Sequence, residues 1–207
     1  MKKSIYISFI FLFVFICIAI IVKTGNAGDF NNNILKSIRS YESPFLTAFT
    51  KLISNMGDWF SYTPVLIMLF IFSKTRKNYA IPAAVTLIFS ALLNLILKNA
   101  FAVQRPDATE HLTNAAGYGF PSGHAMNGMV FISILLFLFL VHSENSKIII
   151  IIPAIIFAAI FILLIGFSRM YLGVHTPTDI LAGYSLGLSI SIVSLKIYIN
   201  KKRKITA

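Results

Sequence analysis

Three short polar islands interrupt a chain that is otherwise largely apolar. The first runs from Lys98 to Pro106, the second is Pro121-Ser122-Gly123-His124, and the third spans Gly166 to Asp179 and carries Ser168, Arg169, His175 and Asp179. Polar side chains at the ends of apolar runs are costly unless they have a partner or a task. Pooled, the islands supply the cations Lys98, Arg105 and Arg169, the histidines His124 and His175, and the carboxylate Asp179. Ser122 and Gly123 add a hydroxyl and backbone N–H groups that can converge on an anion. That inventory suits a phosphoryl group, whose transition state spreads negative charge over its equatorial oxygens and is lowered by positioned cations and N–H donors. No His, Asp, Glu or Cys grouping shows metal-ligand spacing, so no metal or other cofactor is expected and the cations take that part.

Each island also has a plainer reading. Lys98 and Arg105 are seven residues apart, two turns of a continuous helix, which puts them on one face. Pro106 disfavours helix at Arg105 and so moves it to the exit turn. The pair either grips a phosphate or snorkels to the membrane interface at a helix C-terminus. Ser122 is either part of an anion cradle or a simple N-cap, and His124 either hands a proton to a leaving oxygen or rests at the interface. Thr176-Pro177-Thr178-Asp179 looks like a helix start with Asp179 in the capping-box position. Alternatively the Asp179 carboxylate accepts a hydrogen bond from one nitrogen of His175, four residues earlier, and frees the other as a nucleophile.

Taken together, the motifs resemble the type-2 phosphatidic acid phosphatase superfamily of integral membrane lipid phosphatases, related in its active site to bacterial acid phosphatases and vanadium haloperoxidases. The family pattern is a lysine, six residues and Arg-Pro; then Pro-Ser-Gly-His; then Ser-Arg, five residues, His, three residues and Asp. The chain carries all three in order: Lys98 with Arg105-Pro106, Pro121 to His124, and Ser168-Arg169 with His175 and Asp179. The resemblance covers nearly the second half of the chain. It implies that His175 attacks phosphorus to form a phosphohistidine, that Asp179 orients it, and that His124 protonates the leaving group and then activates water. Lys98, Arg105, Ser122, Gly123 and Arg169 would hold the phosphoryl oxygens. The implied substrates are lipid phosphate monoesters or diphosphates such as undecaprenyl diphosphate, phosphatidylglycerol phosphate or phosphatidate. Two alternatives are a phosphotransferase that uses an acceptor other than water, and a non-catalytic anion-binding transporter or scaffold.

The elements that must position these residues follow from composition. Of 207 residues 57% are hydrophobic and 12% charged, with a mean hydropathy of +0.81, against roughly 25% charged in a soluble domain. An all-α membrane protein of one domain, residues 1–207, is expected. Apolar runs at 5–22, 60–73, 79–97, 124–142, 148–167 and 180–199 predict a bundle of six transmembrane helices. Residues 5–22 are read as a retained span rather than a cleaved signal peptide. The segment 29–56 is too polar to span. Its apolar spacing, broken by Pro44, predicts one or two interfacial amphipathic helices between the first and second spans, with Trp59 anchoring the next.

The net charge of +11 comes with no nucleic-acid signature. Lys2, Lys3, Lys74, Arg76, Lys77, Lys147 and the basic residues 201–204 fall on one side of six crossings, so both termini are expected in the cytoplasm and all three islands at the outer face of a bacterial cell membrane. The partners implied are the bilayer and a lipid phosphate. Asp107, Glu110 and His111 on the outer loop are read as surface residues with substrate gating as the alternative, Asp58 near the outer interface as a helix start that could also shape the substrate entrance, and His142 at the other end as interfacial. Gly183 and Gly187, four apart, predict close helix packing. Cys17 is read as a buried hydrophobe.

Overall fold

The computed structural model describes residues 2–142 and 148–206, and every regular element among them is helical. The order is α1 (Lys2–Lys23), α2 (Gly28–Arg39), α3 (Pro44–Met56), α4 (Trp59–Ile71), α5 (Ser73–Thr75), a π-helical turn (Arg76–Ala80), α6 (Ile81–Phe101), a 3₁₀ turn (Ala108–Glu110), α7 (Gly123–His142), α8 (Ile148–Tyr171) and α9 (Pro177–Thr206). Helix is the form in which an apolar chain satisfies its own N–H and C=O groups where no water can. Lys147, used above to argue orientation, lies outside the described residues.

Among the described residues, five stretches are long and apolar enough to cross a bilayer: Ser4–Lys23, Ser73–Phe101, Gly123–His142, Ile148–Tyr171 and Pro177–Lys204. The expected span at 60–73 appears as α4, which has 13 residues. At 1.5 Å per residue α4 reaches about 20 Å against a hydrocarbon core of about 30 Å, so it does not meet the same length test. It starts where Asp58 Oδ1 accepts the Trp59 N–H at 2.7 Å and stops at Phe72, whose backbone is extended. Segment 29–56 forms two helices. Ser43 caps α3 with Pro44 in its first turn, an arrangement that ends one helix and starts the next.

Three other helices have bounds that differ from those expected. α6 stops at Phe101 because Ala102 adopts a left-handed conformation, φ 50°, and returns its N–H to the Lys98 carbonyl. Lys98 therefore sits in the last turn and Arg105 on the loop beyond, so the two do not share a continuous helix face. α8 runs past residue 167 through Ser168 and Arg169 to Tyr171, and α9 begins at Pro177 and continues to Thr206.

The helices alternate between two ends of the bundle. Lys23, closing α1, reaches the carbonyl of Phe101, closing α6, and the Ser122 N–H before α7 donates to the Asp179 carbonyl at the start of α9, 3.1 Å. At the other end Tyr79 packs on His142, centroids 5.2 Å apart, and Tyr198 Oη lies 3.0 Å from His142 Nε2. α9 is held between α7 and α1. A Cβ on Gly187 would stand 2.7 Å from the Met126 carbonyl and one on Gly183 2.9 Å from the Ser122 carbonyl, so both glycines let α9 close on α7 as their spacing implied. On the other flank Ser189 Oγ donates to the Ser8 carbonyl at 3.0 Å, and Phe15 stacks on the fully buried Phe120. In an apolar solvent such contacts stabilise by close packing and hydrogen bonds rather than by release of water.

Candidate active site

The third island lies where α8 turns into α9. Gly173, φ 75°, makes this turn; a side chain there would collide with Arg39 and the Glu110 carbonyl. α9 then opens with a complete capping box. Thr176 Oγ1 accepts the Asp179 N–H at 3.3 Å, and Asp179 Oδ2 accepts the Thr176 N–H at 2.9 Å. The same Oδ2 lies 3.2 Å from His175 Nδ1. The capping and orienting readings of Asp179 are thus not rivals, because one oxygen does both. Asn31, on α2, secures the turn from outside by donating to Thr178 Oγ1 at 3.0 Å and accepting the Thr178 N–H at 3.3 Å.

The network also assigns the imidazole tautomer. Arg105 Nη1 lies 3.1 Å from His175 Nε2, and a guanidinium can only donate. Nε2 therefore carries the lone pair, and Nδ1 carries the proton given to Asp179. His175 is almost wholly buried, with 1% of its surface exposed. That burial pushes its pKa down to about 3, against the opposing pull of Asp179, so the ring is neutral at physiological pH.

Around this pair stand three cations. Arg105 is clamped by carbonyls: Nε donates to Gly117 at 3.0 Å, Nη2 to Ala116 at 2.9 Å and Nη1 to Val174 at 2.8 Å. Lys98 Nζ donates to the carbonyls of Tyr118 and Gly119. Arg169, buried near the end of α8, donates from Nη1 to Ser54 Oγ of α3 at 2.6 Å. Its Nε is buried with no hydrogen-bond partner among the described residues. A buried guanidinium N–H left over in this way is an available donor. Against the three cations the site sets two carboxylates, Asp179 and Asp58, so it is electropositive.

Ser122 and His124 complete the ring. Ser122 is fully buried, and its Oγ accepts the Ala125 N–H at the start of α7, so its N-cap reading holds. Gly123 approaches α6 so closely that a Cβ would lie 3.0 Å from Asn94 Oδ1. His124 lines a cleft of about 270 Å³ with Lys98, Asn94, Asn127, Trp59 and Asp58. Its Nε2 is 4.0 Å from Asp58 Oδ2, while the other Asp58 oxygen caps α4.

All eight predicted site residues therefore gather at one end of the bundle. The remaining polar residues of interest do not join them. Asp107 caps the 3₁₀ turn through Thr109, Glu110 pairs with Arg39, His111 meets the Pro106 carbonyl, and His142 stands at the far end. Sequence reasoning missed Ser54, Asn31 and Asn94, and for Asp58 it offered a helix start or a part in the substrate entrance but not the approach to His124. Asn94 alone left a signal, since it lies one helical turn before Lys98 on the same face of an apolar helix.

A family model described as the PAP2 superfamily matches residues 79–203, a stretch that contains all three islands. The chain belongs to the PAP2 superfamily. It is 30% identical to the phosphatidylglycerophosphatase B of Bacillus subtilis over 86% of this chain and 88% of that protein. It is also 30% identical to the undecaprenyl-diphosphatase of Sulfolobus acidocaldarius, over 95% and 93%. A crystal structure described as the first transmembrane PAP2 type phosphatidylglycerolphosphate phosphatase from Bacillus subtilis superposes with a TM-score of 0.85 at 26% identity, covering 95% of this chain and 97% of that one. PAP2 membership and the five apolar stretches make this a multi-pass membrane protein, and PAP2 phosphatases are hydrolases of phosphate esters.

Proposed function

We propose that the chain is a membrane lipid phosphatase acting through a phosphohistidine on His175. The observation that carries this is the His175 ring itself, held on Asp179 through Nδ1 with an unprotonated Nε2 facing a ring of cations. In the first step the Nε2 lone pair attacks phosphorus and a P–N bond forms as the P–O bond to the lipid breaks. The lipid oxygen takes a proton from His124. Asp179 stabilises the cationic ring as the Nε2 lone pair is spent. In the second step a water attacks the phosphorus and gives its proton back to His124. The P–N bond then breaks, releasing inorganic phosphate and returning the electron pair to Nε2. Lys98, Arg105, Arg169, the Ser122 hydroxyl and the Gly123 region hold the equatorial oxygens, and Asp58 acts as a positioning residue for His124. No metal takes part in this scheme.

For the substrate, the kinship with proteins named for phosphatidylglycerophosphate and for undecaprenyl diphosphate supports lipid phosphate monoesters and diphosphates. A six-crossing topology, with α4 as the short crossing, is supported by the neighbouring positions of the start of α1 and the end of α9. Ser4 and Ile7 share a cavity with Ile199 and Asn200, and an even number of crossings is what returns the chain to its starting side. With Lys74, Arg76, Lys77 and residues 201–204 at that end, it faces the cytoplasm and the active site faces outward. α2 and α3 then lie along the outer interface.

The deciding experiment measures inorganic phosphate released by the purified full-length protein in detergent, with a chelator present, from phosphatidylglycerol phosphate, undecaprenyl diphosphate and phosphatidate. Release that is lost in His175→Ala is expected. Equal release by the variant, or a phosphorylated product other than inorganic phosphate, would overturn the scheme.

A further inference from the structure

A second cavity lies far from the active site, on the flank where α6 meets α9. Its volume is about 540 Å³, within the range of roughly 300–1,000 Å³ typical of ligand pockets. Its sides include Ile81, Val85 and Ile197, which are 45%, 62% and 63% exposed. These residues belong to stretches apolar enough to cross the bilayer, so the groove opens sideways to lipid. Lys77, Lys201 and Lys202 close one end of it. Lys77 and Asn78 belong to the π-helical turn Arg76–Ala80, a local widening of the helix of the kind that recurs at functional sites. The polar part of the lining is fixed from behind: Tyr198 Oη pairs with His142 Nε2 at 3.0 Å and donates to Asn78 Oδ1 at 3.4 Å.

Position separates this groove from the catalytic site. Lys77 and Lys98 are 21 residues apart in the helical stretch Ser73–Phe101, about 30 Å along the axis and close to the thickness of the hydrocarbon core. The two therefore address opposite faces of the membrane. Charge separates them as well. Among the described residues the carboxylates Asp29, Glu42, Asp58, Asp107, Glu110 and Asp179 all belong to segments at the catalytic end, and the seventh, Glu144, lies outside the described residues.

We infer that this groove binds an anionic phospholipid of the leaflet opposite the catalytic one. An acyl chain lies along Ile81, Val85 and Ile197, and the phosphodiester head group rests against Lys77, Lys201 and Lys202. The charge complementarity decides the occupant. Basic pockets between helices at a membrane surface take acidic lipid head groups. A two-fold pairing with a second copy of the chain would instead bring the two lysine clusters together, an arrangement like charges oppose. The inference needs only the membrane fold and not the catalytic scheme.

The test is native mass spectrometry of the full-length protein released from nanodiscs of phosphatidylglycerol or of phosphatidylcholine, with hydrolysis of a short-chain phosphate monoester followed on the same samples. One equivalent of phosphatidylglycerol retained in preference to phosphatidylcholine is expected. Each basic residue near an anionic lipid contributes about fivefold, so Lys77→Gln/Lys201→Gln/Lys202→Gln weakens retention on the order of a hundredfold while turnover persists. Ser194→Phe, which fills the groove without touching its charge, gives the same loss and covers the case in which the triple variant fails to fold. Equal retention of the two lipids, retention unchanged in either folded variant, or displacement of the lipid by millimolar inorganic phosphate or by a second protein copy would overturn the inference.

Discussion

At the scale of single residues, the proposed division of labour between the two histidines has a clear signature. His175→Ala removes the proposed nucleophile and should lower kcat by about ten-thousandfold or more on every substrate, with the fold intact by thermal unfolding. His124→Ala acts differently according to the leaving group. Alkyl phosphates, whose departing oxygen needs a proton, lose on the order of a hundredfold or more. p-Nitrophenyl phosphate, with a good leaving group, gives instead a burst of one equivalent of nitrophenol and a trapped phosphoenzyme, because only the second step still needs a base. Asp58→Asn separates the two duties of that residue. Asparagine caps a helix as well as aspartate, so stability holds, and turnover of alkyl phosphates falls roughly tenfold, the fall expected when a general acid is less well placed. Unchanged turnover would leave Asp58 as a cap alone. The buried His175 imidazole also gives a pH prediction. Its pKa is lowered by burial, so the ring stays in the Nδ1–H tautomer well below pH 6.5, visible in the nitrogen resonances of histidine-labelled protein. Because the unfolded chain would take up the proton first, this group's contribution to stability declines as the pH falls below 6.5. A ring that protonates near pH 6.5 would contradict the burial that outweighs the pull of Asp179.

At the scale of helices, the proposed catalysis should depend on how closely α9 can press on α7. Gly187→Leu forces a branched side chain against the Met126 backbone, where a Cβ alone would lie 2.7 Å from the carbonyl. Overpacking of this kind costs about 1–3 kcal/mol. Thermal unfolding in detergent should fall by several degrees and turnover should fall with it, since α7 also carries His124. Leu163→Ile, at a lipid-facing position of α8, should do neither. Helix existence was legible in the sequence because hydropathy is a direct record of contact with lipid. Helix ends were less so. α8 continues through Ser168 and Arg169 because Ser54, 115 residues earlier, shelters the guanidinium, and no local pattern announces a distant partner. Pro106 announced that Arg105 leaves the helix, but the point of exit, Ala102 in its left-handed conformation, carries no such local mark. That these residues belong together was legible since each motif is local, whereas Asn31 and Asn94 join the candidate site across the fold.

At the scale of the whole molecule, the proposed six-crossing topology sets the active site and the lysine-lined groove at opposite faces, and the orientation can be tested directly. A cysteine at the exposed loop position Asn114, in a chain with Cys17→Ser, should react with a membrane-impermeant thiol reagent in intact cells. Protection there until the cells are opened would reverse the assigned orientation. The sandwiching of α9 between α1 and α7 has a consequence for how the protein comes into being. Membrane helices enter the bilayer in chain order, so α1 must wait beside a gap through the synthesis of every helix between it and α9. Until α9 arrives, His175 has no carboxylate to orient it and Ser122 no carbonyl to hold it. On the proposed scheme a nascent chain therefore sits among lipid phosphates without attacking them, and hydrolytic competence arrives in one step with the closing helix.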